Sequence, residues 1–249
     1  MIKLKHLALF FTAALTTVSC SEKGLDAGHG RMRIALSADD SAIELTRASL
    51  GLNKPTAAEF SLTIMDETGE VVGEWDSIAA YDEATLYNAG NYAAKARYGR
   101  TSIEAFETPC FEGTQAFTIV DDQTTSVEIT AYVANAIVKI EYTDAFKNYF
   151  SDYSFTMTTA AGSQLPFAAD ETRRAFIQPD RFSMTGSATT QTGTRVPISK
   201  EFTNIAAKTL YTIKFDVNAG NVGNATITVS FNDEPVAEIP IDIELNDHL

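Results

Sequence analysis

The chain has 249 residues, 45% of them hydrophobic, and a formal net charge of −14. That length accommodates one large domain or two small ones with real cores, and that hydrophobic content excludes wholesale disorder. The acidic surplus repels phosphate backbones, so nucleic acid is excluded as a natural partner and the charge reads as a means of solubility.

Lys3 and Lys5 precede the apolar stretch Leu7–Leu15, which is too short to span a bilayer and fits the hydrophobic region of a signal peptide. Thr17-Val18-Ser19-Cys20 follows and resembles a lipobox: small residues admit the lipoprotein signal peptidase, and the cysteine sulfur takes the diacylglycerol. Thr17 departs from the usual leucine. Residues 1–19 are therefore expected to be a lipoprotein signal peptide, with Cys20 as the lipid attachment site. The small, polar stretch 20–30 is expected to be the tether. With Cys20 acylated, Cys110 has no disulfide partner.

From Arg31 the hydrophobic period is two. Met32, Ile34 and Leu36 alternate with Arg31, Arg33 and Ala35, as in a half-buried strand. Phe60–Met65 repeats the pattern, Asp66-Glu-Thr-Gly69 supplies turn chemistry, and Val71–Trp75 is expected to return as the hairpin partner. Asn88-Ala-Gly-Asn-Tyr92-Ala-Ala94 resembles the D-x-G-x-Y-x-C stretch of immunoglobulin-like sandwiches, whose tyrosine hydroxyl bonds back to the backbone at a strand corner; a chance Gly-x-Tyr entering a strand reads the same way. Thr108–Gly113 reads as a turn, and Ala116–Val120 and Val127–Tyr132 as strands.

A boundary is expected near Val133–Asn135, separating sandwiches over 31–134 and 135–249. In Ala136–Tyr142, Ile137, Lys139 and Glu141 oppose Val138, Ile140 and Tyr142. A short helix follows, capped by Thr143 or Asp144, with Phe146, Tyr149, Phe150 and Tyr153 at helical spacing as a core face. Further strands are read at 153–157, 182–185, 210–215, 225–231 and 236–245, with Asn218–Asn224 as a hairpin loop.

Gly30–Leu36, Thr46-Arg47-Ala48, Ala89–Tyr92, Pro109–Gly113 and Ala136–Tyr142 together resemble a Bacteroidetes lipoprotein family of unassigned function. Its organisation is similar to that of the fimbrillins, lipoprotein precursors of two transthyretin-like sandwiches that polymerise into pili. The resemblance implies an all-β fold of two immunoglobulin/transthyretin-like antiparallel β-sandwich domains with one short helix. It also implies residence in the cell envelope, in the outer membrane and at the surface, with other envelope or fimbrial subunits as partners. Cleavage after an arginine is implied too, with Arg47 the candidate; Ile239, Ile241, Ile243 and Leu245 then form the candidate donor strand.

No reaction centre is legible. Outside the leader the only histidines are His29 and His248, in the tether and beside the C-terminus, so neither a His-based metal site nor a triad is expected. Asp39-Asp40 and Asp121-Asp122 read as solvated turns, and no cofactor is implied. A non-enzyme is expected, as a structural or adhesive subunit or as a surface lipoprotein binding glycans or proteins for nutrient capture. A planar row of exposed aromatic rings favours glycans; a detachable strand favours assembly.

Overall fold

The computed structural model describes residues 28–38, 55–217, 226–234 and 239–244, with residues 37–38 and the last two stretches described by their backbone alone. The all-β expectation holds. The first eight strands are β1 (His29–Ala38), β2 (Ser61–Asp66), β3 (Val71–Trp75), β4 (Tyr87–Asn88), β5 (Gly90–Tyr98), β6 (Ala105–Phe106), β7 (Phe111–Ile119) and β8 (Thr124–Val133). All but β6 join one sheet in the order β3-β2-β5-β7-β8-β1-β4. β7 pairs with β5 along its whole length but with β8 only at Phe111↔Val133 and Glu112↔Tyr132. The sheet therefore opens at β7, and Leu62, Ile64 and Ala94 on one side share a core with Met32, Val127 and Ile129 on the other.

Local chemistry explains the first layer's corners. Gly69 takes φ +86° and donates its amide to the Asp66 carbonyl, a conformation that favours glycine. The Asp66 carboxylate accepts from the Thr68 hydroxyl and from the Thr68 and Glu70 amides. Those bonds, the Thr68 hydroxyl first, hold its pKa below the usual carboxylate value. The Tyr92 hydroxyl donates to the Asn88 carbonyl at 2.9 Å, so the tyrosine-corner reading is correct.

The second half contributes β9 (Ala136–Tyr142), α1 (Asp144–Tyr149), β10 (Phe150–Thr159), β11 (Gln164–Phe167), β12 (Ala175–Ile177), β13 (Phe182–Thr190), β14 (Arg195–Phe202), β15 (Thr209–Phe215), β16 (Thr226–Glu234) and β17 (Ile239–Glu244). They form a four-stranded sheet, β11-β10-β13-β14, and a six-stranded one, β17-β16-β15-β9-β12-β6. Between them lies a second core that includes Val138, Ile213 and Phe215 with Phe155, Met157, Met184 and Ile198. Phe155 and Phe215 stack at 4.4 Å within it.

Two sequence readings are corrected. The aromatic stripe is not one helix face. Thr143 does cap α1, its hydroxyl accepting from the Phe146 amide at 3.1 Å, but the helix ends at Tyr149 and Phe150 and Tyr153 belong to β10. Phe146 and Phe150 are buried while Tyr149 is 38% exposed. Thr108–Gly113 is not all turn, because Phe111 opens β7. Ile137 opposes Val138 and Ile140 as read, and it is fully buried, in the first core, while they belong to the second.

Candidate functional site: terminal strands and sheet edges

Cleavage after the candidate Arg47 would detach β1, which sits between β8 and β4. The strand runs parallel to β8 from Arg31↔Thr124 to Ala38↔Ala131, and meets β4 only at His29↔Asn88 and Gly30↔Tyr87. Its alternation is expressed as read: Met32 is fully buried, and Ile34 and Leu36 pack against the same core at partial burial. Arg31, Arg33 and Ala35 are exposed.

The N-terminal end of β1 is held tightly. The Asp122 amide donates to the His29 carbonyl, the Arg31 amide to the Gln123 carbonyl and the Ala89 amide to the Gly28 carbonyl. The Tyr81 hydroxyl reaches the Met32 carbonyl at 3.2 Å, and burial pushes its pKa well above the usual phenol value. A Cβ at Gly30 would lie 2.3 Å from the Val120 carbonyl oxygen, so a side chain there is sterically barred. Past Gly30 the side of β1 that faces away from β8 has no strand partner among the described residues.

Cys20, Arg47 and Leu245 lie outside the described residues. Ile239, Ile241 and Ile243 fall in β17, antiparallel to β16 through Phe231↔Ile239, Val229↔Ile241 and Ile227↔Ile243. β17 is the edge of its sheet, where Pro240 can lack an amide hydrogen without breaking a ladder on both sides.

The other described edges are blunted. β11 carries Pro166 and β14 carries Pro197, while β4 and β6 have two residues each. β3 has an irregular register opposite Ile64 and Met65, and no Lys or Arg occurs between Pro55 and Ala94, a stretch that holds eight acidic residues (Glu59, Asp66, Glu67, Glu70, Glu74, Asp76, Asp82 and Glu83). Prolines, short edges, bulges and charge are the devices by which sheets resist edge-to-edge pairing.

Groups that could do chemistry are sparse. Among the described residues no cluster of three His, Cys, Asp or Glu side chains could hold a metal ion. Cys110 is fully buried, and burial, helped by nearby Glu112, pushes its thiol up to about 11, the opposite of an activated nucleophile. Among the described residues aromatic rings form no exposed row; only Tyr132 and Tyr149 are exposed to that degree, on β8 and α1, and the Lys208 ammonium lies 3.3 Å over the Tyr132 ring. Trp75 packs edge-on against Tyr81 at 5.1 Å.

Solved structures with similar architecture include a fimbrial assembly protein from Parabacteroides distasonis, 9% identical, with a TM-score of 0.46 over 85% of this chain and 98% of that one. They also include the fimbrial anchor protein Mfa2 from Porphyromonas gingivalis, 11% identical, with a TM-score of 0.39 over 83% of this chain and 97% of that one. No curated protein matches the sequence. A family model described as a domain of unknown function (DUF4493) matches residues 28–247, and the chain belongs to that family.

Proposed function

We propose that the chain is a non-catalytic structural or adhesive subunit of the cell envelope, lipid-anchored through Cys20 in the outer membrane and exposed at the surface. Its β1 is a removable plug, released by cleavage after Arg47, and β17 of a neighbouring copy is the donor that replaces it; the cut also severs the Cys20 anchor, so only an uncut molecule stays lipid-anchored, at a base or as a stand-alone lipoprotein. The observation that carries this reading is the placement of β1. It is held at Gly28–Met32, only half-buried at Ile34 and Leu36, and flanked by a two-residue strand on its second side. Removing it would expose the β8 backbone from Thr124 to Ala131 and the pocket filled by Met32. An incoming strand could satisfy both.

The donor fits by pattern. Ile239, Ile241, Ile243 and Leu245 repeat the spacing of Met32, Ile34 and Leu36, and one proline is tolerated where the open side of the acceptor faces solvent. The blunted edges support the same reading, since association would require the plug to leave. Glycan capture draws no support from the two isolated exposed tyrosines.

The test is to express the chain from Ala48 onward. Polymers are expected by size exclusion and microscopy, and deletion of residues 236–249 should abolish them. A folded, monomeric Ala48 form sinks the plug. Polymers that survive the C-terminal deletion show a wrongly assigned donor. Separately, Cys20→Ser should move the protein from the membrane to the soluble fraction, and unchanged partitioning with detergent refutes the anchor.

A further inference from the structure

We infer that the six-stranded sheet is a wall shared by both cores, and that the two halves of the chain therefore fold and unfold as one cooperative unit. The geometry is a division of faces. On neighbouring strands β15, β9 and β12, the residues Leu210, Ile137 and Phe176 stand side by side, Leu210 opposite Ile137 and Ile137 opposite Phe176. All three pack in the first core, with Ile137 and Phe176 fully buried there. Their strand neighbours Ala136, Val138, Ala175, Ile177 and Tyr211 belong to the second core. Strand side chains alternate between faces, so one sheet closes two cores.

The traffic also runs the other way. Phe106 on β6, from the first half of the chain, packs edge-on against Phe167 at 5.1 Å in the second core. β6 itself pairs with β12 through Ala175↔Phe106 and Phe176↔Ala105. Just before it, the Glu104 carboxylate accepts from the Gln178 amide and the Thr159 hydroxyl.

Polar bonds fasten the seam. Asn135, at the expected boundary, is fully buried. Its Oδ1 accepts from the Cys110 amide at 2.5 Å and its Nδ2 donates to the Ile177 carbonyl at a longer 3.5 Å. Its own carbonyl accepts from the Lys208 amide at 2.9 Å, and the Ala134 amide donates to the Cys110 carbonyl at 2.7 Å. A separable linker would be exposed and polar, with few contacts crossing it. This one is a buried clasp. The change from one half to the other at 134/135 is then a boundary in the chain but not in the folding unit, independently of whether β1 is a plug.

The experiment uses the whole chain carrying Cys20→Ser. Trp75, the single tryptophan, reports the first core by fluorescence, and amide hydrogen exchange over residues 150–202 reports the second. Both probes should give one coincident urea midpoint. Phe106→Ala and Ile137→Ala should each lower both midpoints by the same amount, although each side chain packs in the core belonging to the other half. Phe106→Leu and Ile137→Val serve if the alanine forms do not fold. Separate midpoints in the unsubstituted chain overturn the inference. So does a Phe106 substitution that moves only the 150–202 probe, or an Ile137 substitution that moves only Trp75.

Discussion

Gly113 lies where β7 leaves β8, and adding one methyl group there should be costly. An alanine Cβ would stand 2.4 Å from the Thr130 carbonyl oxygen, 2.8 Å from its carbon and 2.9 Å from the Ala131 Cα. Comfortable contact begins near ~3.5 Å, so the overlap is roughly 1 Å, and every atom met is backbone. β8 cannot retreat freely, because Thr130 and Ala131 are paired with Ser37 and Ala38 of β1. Overpacking of this kind costs about 1–3 kcal/mol, offset by about 0.4–1 kcal/mol from the stiffer unfolded chain. A net loss of about 1–2 kcal/mol is expected, read as a lower urea midpoint at unchanged slope by Trp75 fluorescence. Gly162→Ala is the control. Nothing lies within 4 Å of a Cβ there, but φ is +89°, so its cost of about 1 kcal/mol comes from conformation alone. The Gly113 penalty should shrink in a chain beginning at Ala48, where β1 no longer clamps β8. A Gly113→Ala protein within about 0.5 kcal/mol of the parent would refute the steric reasoning.

Other outcomes follow from single bonds and single protons. Tyr92→Phe keeps the ring packed between Tyr87 and Phe117, at 5.8 and 5.9 Å, and loses only the bond to Asn88; a drop of about 0.5–1.5 kcal/mol is expected by denaturant titration. Thr143→Ala removes the α1 cap and the 2.7 Å hydroxyl bond to Asp216, and should lower stability by about 1 kcal/mol. Stability should also fall with alkali. The Cys110 thiol is raised to about 11 by burial, so the native state keeps a proton that the unfolded chain has already lost. The contribution is complete below the unfolded thiol value and is lost as pH rises towards 11. Urea midpoints measured between pH 8 and 10.5 should decline less steeply for Cys110→Ala; an identical decline would show that the thiol is not the group responsible.

How much of this was legible depended on whether one face or two were buried. β1, β2 and β8 each bury one face, and their two-residue period announced them: Met32 to Leu36, Leu62 and Ile64, and Val127 to Val133 all point as read. The Tyr92 corner and the choice of Thr143 over Asp144 as the cap were open in the sequence, and each is decided by a local bond between residues three or four apart. β11 and β14 escaped because Pro166 and Pro197 read as breakers, although each is the hairpin partner of the strand before it, and three-residue β12 because its partners β9 and β6 are distant in sequence. The shared wall escaped for a deeper reason. Its signal was present as Ala136-Ile-Val138 and Ala175-Phe-Ile177, apolar runs without alternation and buried at every position. Such runs mark strands covered on both faces. The alternation of Ile137, Lys139 and Glu141 with Val138, Ile140 and Tyr142 holds, but alternation alone does not say what covers Ile137. The mixed period was itself the information: β9 starts inside the protein on both faces, and at Lys139 one face begins to emerge. Under the shared-wall inference, sandwiches over 31–134 and 135–249 would use this one sheet in common, and the run is buried because each covers one of its faces.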